Sequence, residues 1–108
     1  MRVMIIGHGY VGSAVASIFT DEEKVIIDPK ISDDVVANHS GKQFDAVFVC
    51  VDTPKENNHG LLDMVLGQVN AHIGNNTPVC CKSTSTPDYY YSAQQKYTNI
   101  RVLHSPEY

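Results

Sequence analysis

Short apolar runs alternate with segments of helical periodicity along nearly the whole chain, and this alternation constrains the fold more than any other feature. The runs cover residues 2–6, 24–28, 46–51, 78–82 and 99–103. They are mostly continuous rather than apolar at every second position, which is typical of strands buried on both faces of a parallel sheet. The pattern predicts an α/β fold: a doubly wound (Rossmann-like) parallel sheet of about five strands with helices on both faces.

Three helices are predicted between these strands. The first follows the glycine-rich segment after the first strand, the second ends at Gly74, and the third begins at Thr86. Thr86 is a candidate N-cap, because a capping hydroxyl followed by Pro87 is a common helix opening. Residues 32–40 are ambiguous and could form one or two helical turns. At 108 residues the chain has the size of one domain.

Composition and charge exclude several functional classes. The formal net charge is −4, whereas a nucleic-acid-binding domain would show clustered Lys and Arg. The apolar runs are much shorter than the roughly 20 residues that span a bilayer, and no signal peptide is visible. We therefore expect a cytoplasmic protein that binds neither nucleic acid nor membrane. Five scattered histidines show no metal-ligand spacing, so no metal site is predicted.

The three cysteines, Cys50, Cys80 and Cys81, lie inside predicted strands. Free cysteine in such a position behaves as a small apolar residue. We expect all three to pack in the core of a protein kept in a reducing compartment.

The segment after the first predicted strand reads GHGYVG and contains the glycine spacing GxGxxG. In this spacing Gly7 allows a tight turn, Gly9 lets a pyrophosphate approach the backbone, and Gly12 lets the helix pack closely on the strand. Free amides at the start of the helix would receive the phosphates, so Tyr10 and Val11 belong to the candidate binding segment. The alternative is a tight strand–helix turn without a ligand. The position directly after a strand favours a dinucleotide cofactor.

Asp28 lies 21 positions after Gly7, at the end of the second predicted strand. A carboxylate at this place accepts hydrogen bonds from the adenosine ribose and repels a 2′-phosphate, which favours NAD over NADP. Lys30 lies close by and slightly reduces this preference. The alternative is a solvated aspartate before Pro29. Together with the glycine turn, Asp28 predicts that residues 1–108 form an NAD-binding domain.

Polar residues also follow the third and fourth predicted strands, at the same edge of the sheet as the glycine turn. Val51 and Thr53 follow the third strand, and Thr84 follows the fourth. Groups at this edge can contact phosphate, ribose or nicotinamide, so these three residues are candidate cofactor-binding residues. Ser85 and Thr86 have the alternative role of capping the next helix.

Five motifs in the same order resemble the nucleotide-sugar 6-dehydrogenases, which oxidise UDP-glucose, GDP-mannose or UDP-N-acetyl-mannosamine. The family's GxGYVG turn matches residues 7–12, and its Cys-Val-x-Thr-Pro segment matches residues 50–54. Its Lys/Arg-Ser-Thr-x-x-Pro segment matches residues 82–87, and its Ser/Asn-Pro-Glu-Phe segment resembles residues 105–108. Asp63 resembles the aspartate that the family carries before its next helix. The resemblance covers the whole chain as the family's NAD-binding domain.

The resemblance implies two hydride transfers to NAD. The C6 alcohol of the sugar becomes an aldehyde, then a thiohemiacetal, then a thioester that is hydrolysed to the uronic acid. It also implies a catalytic role for Thr84, which would position water or stabilise the oxygen-centred intermediate. Glu107 resembles the carboxylate that acts as general base in thioester hydrolysis; the alternative is a solvated carboxylate near a frayed terminus.

The sequence also departs from the family. Asp52 occupies a position that is usually small or proline, which places a charge near the predicted cofactor. The stretch between Asp28 and Ala46 is shorter than in the family, so an outer strand is expected to be missing. The family's nucleophilic Cys, its catalytic Lys and Asn, and its substrate-binding domain would lie beyond Tyr108. Because covalent catalysis needs an accessible thiolate, we expect the chain alone to bind NAD without oxidising a nucleotide sugar.

Two alternatives stay open. The chain could be a stand-alone, non-catalytic NAD-binding module, or one that docks on a copy of itself or on another chain through the face left by the missing domain. A nucleotide sugar would then bind only in the completed assembly. A β-hydroxyacid or 6-phosphogluconate-type dehydrogenase shares the glycine turn and the acid, but does not explain the Thr-Pro, Ser-Thr and Pro-Glu motifs.

Overall fold

The computed structural model describes residues 1–52, 59–83 and 85–105. Every predicted strand is present, with ends within two residues of the prediction. The strands are β1 (Val3–Ile6), β2 (Lys24–Ile27), β3 (Ala46–Val49), β4 (Thr77–Cys81) and β5 (Ile100–His104). The helices are α1 (Tyr10–Ala16), α2 (Gly60–His72) and α3 (Pro87–Lys96), and a short 3₁₀ helix spans Val36–His39.

The five strands form one sheet in the order β2-β1-β3-β4-β5, and every neighbouring pair is parallel. The chain runs outward from β1 to β2 and then returns to the other side of β1 as β3. The succession of strands therefore reverses between β1 and β3, and a crevice opens where the turns after these two strands diverge. Residues 28–45 contain the 3₁₀ helix and no strand, so the outer strand is missing, as the short segment predicted.

Alternate residues of each strand face opposite layers of helices. Val3 and Ile5 of β1 pack with Val15 of α1, whereas Met4 and Ile6 belong to the larger core that α2 and α3 cover. The right-handed rule explains this division: outward and return crossovers place their helices on opposite faces. The prediction of a doubly wound α/β fold with helices on both faces is confirmed.

The predicted ends of α2 and α3 are also confirmed. Gly74 follows α2 with φ +48°, a conformation that favours glycine, and its amide donates to the carbonyl of Val69 at 2.9 Å. The Thr86 hydroxyl accepts the Tyr89 amide at 3.2 Å, and Pro87 occupies the first helical position. In the described part of the chain, no helix combines the length and apolar character that crossing a membrane requires.

The ambiguous segment 32–40 holds the 3₁₀ helix and is fixed by Asp34. Its carboxylate accepts the Asn38 side-chain amide at 2.9 Å and lies 2.8 Å from Nε2 of the buried His39. The hydrogen bond from Asn38, followed by that from His39, lowers the pKa of Asp34. These contacts order the connection between β2 and β3 beside the crevice.

Candidate functional site

Gly7 makes the turn at the end of β1 and requires the absence of a side chain. Its φ is +93°, and a Cβ there would lie 2.8 Å from the carbonyl oxygen of Cys50. The Gly7 amide donates to the Ile27 carbonyl at 2.8 Å, which ties the turn to the end of β2. The turn is thus packed between the chain segments that follow β2 and β3.

Gly12 lets α1 pack directly on this turn. A Cβ at Gly12 would overlap the Gly7 carbonyl oxygen and would lie 2.8 Å from its carbon. Gly12 is buried, and the Cβ of Cys50 is the next atom, at 3.4 Å. This geometry agrees with the role that the sequence predicts for Gly12, which is close contact of helix and strand.

Gly9 differs from the other two glycines because no atom lies within 4 Å of the place its Cβ would take. Its φ of −80° is open to any residue, so neither packing nor backbone conformation requires glycine here. The first intrahelical bond is donated by the Ser13 amide to the Gly9 carbonyl, so the preceding amides have no acceptor within the helix. The turn therefore presents backbone donors beside open space.

Asp28 follows β2 and turns its carboxylate toward the glycine turn. The His8 amide donates to Oδ2 at 2.7 Å, and the Lys30 amide donates to Oδ1 at 2.9 Å. The bond from His8, followed by that from Lys30, lowers the pKa of Asp28, so the group is an anion at neutral pH. Each oxygen keeps a lone pair for a further donor. An oriented acceptor of this kind suits a ligand that carries a pair of hydroxyls.

The glycine turn and Asp28 line one cleft of about 680 Å³ at the switch point of the sheet. Apolar side chains that are about half exposed form its outer walls: Ile31 (53%), Val35 (49%), Leu61 (47%) and Met64 (54%). Large apolar side chains left exposed on facing walls favour a flat, apolar ligand group between them. The cleft thus combines a slot for a planar ring, a carboxylate for hydroxyls and backbone donors for an anion.

The rim of the cleft is acidic. Four aspartates line it: Asp28, Asp33, Asp34 and Asp52. Among the described lining residues, Lys30 is the one Lys or Arg. Such a concentration of negative charge repels an additional phosphate group near Asp28. The electrostatics of the rim agree with the preference for a ribose without a 2′-phosphate.

The described residues after β4 have structural partners. The Ser83 hydroxyl donates to the Val51 carbonyl at 2.6 Å, and the Tyr90 hydroxyl donates to the Ser83 carbonyl at 2.6 Å. The Ser85 hydroxyl lies 3.0 Å from Nδ1 of His59. These bonds fix the edge of β4 against the segment after β3, beside the cleft.

Asp63 connects α2 to α3. Its carboxylate accepts the Tyr89 hydroxyl and the Lys96 ammonium, each at 3.1 Å, while the Tyr97 hydroxyl donates to its backbone carbonyl at 3.1 Å. Burial raises the pKa of Asp63, but the hydrogen bonds that its carboxylate accepts, first from Lys96 and then from Tyr89, outweigh it and leave the pKa lowered. Asp63 does not line the cleft. Its contacts are those of a structural anchor.

The three cysteines, which were all expected to pack in the core, are not equally buried. Cys81 is fully buried, whereas Cys50 and Cys80 are partly exposed. Burial raises the pKa of Cys81 to about 12, so this thiol is protonated at neutral pH and a poor nucleophile. Within the described ranges, no group of three His, Cys, Asp or Glu side chains is arranged to hold a metal ion.

The structure brings together part of the predicted cofactor site. Gly7, Gly9, Asp28 and Val51 line the cleft, and Gly12 lies beneath the turn. The side chains of Tyr10 and Val11 line a different groove, between α1 and Phe48 of β3, and do not line the cleft. The remaining predicted residues, Thr53, Thr84 and Glu107, lie outside the described residues.

The apolar walls of the cleft were not predicted from the sequence. Leu61 and Met64 lie outside the buried side of α2. That side consists of Leu62, Val65, Leu66 and Val69. Apolar residues off the buried stripe of a helix are a signal that could have identified this wall. Ile31 and Val35 gave no comparable signal, because their loop has no periodicity.

No protein-family model matches the sequence, and no curated protein matches it. Solved structures do match. The UDP-D-ManNAc dehydrogenase of Pyrococcus horikoshii aligns with a TM-score of 0.77 and 20% identity, over 100% of this chain and 36% of that chain. The UDP-N-acetyl-mannosamine dehydrogenase Cap5O of Staphylococcus aureus aligns with a TM-score of 0.71 and 15% identity, over 100% and 37%. A Staphylococcus aureus NAD-dependent formate dehydrogenase, solved with NAD, aligns at 0.58 and 14%, over 97% and 34%.

The chain spans between 34% and 37% of the length of these three structures. At identities of 20% or less, the likeness concerns the fold. Two of the three are dehydrogenases of the nucleotide-sugar class whose motifs the sequence resembles. The chain has the Rossmann-like α/β fold found in these dehydrogenases.

Proposed function

We propose that this chain is the NAD-binding domain of an oxidoreductase similar to the nucleotide-sugar 6-dehydrogenases. The observation that carries the proposal is the open space at Gly9, between backbone donors and the oriented carboxylate of Asp28. A glycine that neither packing nor φ requires is explained by a ligand that approaches the backbone there. Five family motifs in order, and dehydrogenases among the structures of the same fold, support the same proposal.

In this proposal each part of the cleft binds one part of NAD. The apolar walls that include Leu61 and Met64 hold the adenine ring, and Asp28 accepts the hydroxyls of the adenosine ribose. The amides at the start of α1 receive the pyrophosphate. Val51, which lines the cleft, is assigned to the nicotinamide side, and the cofactor contacts predicted from the sequence for Thr53 and Thr84 belong to the same proposal. Bound NAD would supply the hydride acceptor; the residues of this chain bind and orient it.

We further propose that this chain alone does not oxidise a nucleotide sugar. Its length is about a third of that of the dehydrogenases it matches, and a nucleotide sugar would bind only where a second domain completes the site. The buried thiol of Cys81 cannot supply the nucleophile that covalent catalysis needs. The roles of Thr84 and Glu107 in such a completed enzyme, and a cytoplasmic location, belong to the same proposal.

Calorimetric titration tests NAD binding directly. We expect NAD⁺ to bind more tightly than NADP⁺, and Asp28→Asn to weaken NAD⁺ binding at least tenfold, because one anionic acceptor for the ribose is lost. Asp33→Asn is the matched control: it removes an equal charge from the lining of the same cleft, at a residue to which the proposal assigns no contact with NAD. Lack of binding at millimolar NAD⁺, or equal effects of the two substitutions, would refute the proposal.

A second measurement addresses catalysis. The chain is mixed with NAD⁺ and UDP-glucose, and NADH formation is followed by absorbance. We expect no NADH above the level of a sample without protein. Turnover by the chain alone would show that the reaction needs no groups beyond residues 1–108, and would overturn that part of the proposal.

A further inference from the structure

The described residues cover one side of the sheet only in part. Strand β1 buries Val3 and Ile5 beneath α1 on this side, whereas β4 and β5 have no helix of the described chain over it. Alternation along the strands places Phe48, Cys80 and Leu103 here, since their neighbours belong to the core beneath α2 and α3. Leu103 is 43% exposed. Parallel sheets are ordinarily covered on both faces, so an uncovered apolar area of this kind calls for a partner.

The exposed side of α1 borders this area and is itself apolar. Tyr10 and Ala14 are four residues apart, so they lie on one side of α1. Ile18, two residues after the end of the helix, lines the same groove and extends this apolar stripe. Tyr10 is 94% exposed and Ile18 is 75% exposed. Between this stripe and Phe48 runs a groove of about 470 Å³, which Lys82 borders at one end. We call the stripe, the groove and the uncovered parts of β3–β5 the open face.

We propose that the open face binds a second copy of this chain, with α1 of each copy in the groove of the other. Helix α1, Tyr10–Ala16, carries no acidic or basic side chain, so its burial desolvates no charge. The small side chain of Ala14 in the middle of the stripe allows the close approach that helix packing requires. The apolar stripe and the groove lie on the same surface of the molecule, which is the condition for a two-fold symmetric contact.

The charges around the open face favour one orientation of the two copies. Placing each α1 in the other groove requires a two-fold axis between the faces that runs along the strands, so the amino ends of both sheets lie together. Helix α1 runs opposite to the strands and leads to the exposed Asp21 and Glu22 at that end. Arg101, near the amino end of β5, is exposed and lies on the open face.

In this orientation Glu22 of one copy faces Arg101 of the other, and the arrangement occurs twice. The neighbouring Asp21 already pairs with Lys24 of its own copy at 3.5 Å. The open face includes two cations, Arg101 of β5 and Lys82 just after β4, although the whole chain has a net charge of −4. Opposite charges at the two margins and apolar groups between them give the complementarity expected of a specific interface. A stretch of polypeptide from outside this chain would need an acidic flank to match equally well.

Sedimentation equilibrium of the chain over concentrations from about 1 to 200 µM tests the proposal. We expect a dimer whose dissociation constant rises at least tenfold on Ile18→Asp, because a charge enters the contact. Tyr91→Asp is the matched control: Tyr91 is 70% exposed on α3, on the opposite layer. Circular dichroism melting of both variants is the check that they are folded.

A charge-exchange pair tests the orientation. Arg101→Glu and Glu22→Arg should each weaken the dimer. In the double variant, at least half of the change in the logarithm of the dissociation constant should be recovered. A chain that stays monomeric at 200 µM overturns the proposal. So does a dimer that Ile18→Asp leaves intact, or one in which the double variant is weaker than either single variant.

Discussion

The glycines of the β1–α1 turn allow a prediction in which two similar substitutions have opposite consequences. Gly12→Ala introduces a methyl group that overlaps the Gly7 carbonyl oxygen, an atom of the backbone that cannot rotate away. Gly9→Ala introduces the same group into space with no atom within 4 Å. The first substitution tests the packing of the turn, and the second tests its proposed use.

The magnitudes follow from the contacts. Overpacking of this kind costs about 1–3 kcal/mol or more, and the improved helix propensity of Ala returns up to about 1 kcal/mol. We therefore expect Gly12→Ala to lower the free energy of unfolding by about 2 kcal/mol, or the Tm by about 8 °C for a domain of this size. Gly9→Ala should lower stability by only about 0.5 kcal/mol, because Ala is a poorer N-cap than Gly but meets no atom here.

For NAD⁺ binding, Gly9→Ala is the substitution that tests the turn. Gly9→Ala places its methyl group where the pyrophosphate would lie, so NAD⁺ affinity should fall at least tenfold, about 1.4 kcal/mol, in a protein that melts normally. Calorimetric titration and thermal melting on the same samples separate the two effects. A Gly12→Ala protein that melts within about 2 °C of the parent would refute the packing argument. A Gly9→Ala protein with the parent's NAD⁺ affinity would refute the ligand argument.

Three further substitutions test other parts of the structure. Gly67→Ala, inside α2, places a Cβ at an ordinary 3.5 Å from the Tyr97 hydroxyl and should raise the free energy of unfolding by about 0.5–1 kcal/mol, which urea denaturation measures; a loss of stability would contradict it. Asp63→Asn should destabilise the fold by about 1 kcal/mol at pH 7, since solvent partly screens the carboxylate. Because the folded pKa of Asp63 is lowered, its contribution is present above the unfolded pKa and is lost as the pH falls through the folded one. The difference between variant and parent should therefore shrink in acid, and a constant difference from pH 7 to pH 3 would argue against the assignment. Asp52→Asn removes a negative charge from the rim of the cleft and should tighten NAD⁺ binding about threefold at low salt, an effect of about 0.6 kcal/mol at roughly 7 Å in water; the gain should diminish at 500 mM salt, and weaker binding would show that Asp52 contacts the ligand favourably.

Much of the fold could be predicted because it depends on local patterns. Continuous apolar runs such as Val3–Ile6 predict strands buried on both faces, and right-handed crossovers leave few arrangements for them. The cap at Thr86 and the end of α2 at Gly74 are set by neighbouring residues, so their sequence signals were sufficient. The segment 32–40 was ambiguous because its conformation depends on the bonds of Asp34 with Asn38 and His39.

The candidate site could also be predicted only in part from the sequence. The glycine spacing and Asp28 could be recognised from the sequence, because a phosphate turn needs particular residue types at fixed positions. The adenine-side walls could not, since Ile31 and Leu61 come from different segments and meet only when α2 packs beside the β2–β3 connection. Asp63 matched a family motif in the sequence, yet its contacts with Tyr89 and Lys96 identify it as an anchor between helices.

By itself, the sequence determined that this chain builds a parallel sheet with a glycine turn and an acid at neighbouring strand ends. Tertiary structure alone decided which glycine is free for a ligand: Gly12 meets the Gly7 carbonyl, whereas Gly9 meets nothing. It also decided that Tyr10 lies on the outer side of α1, away from the cleft, on the open face. Spacing along a chain specifies which backbone conformations are possible, but the empty space beside a residue depends on atoms that are distant in sequence.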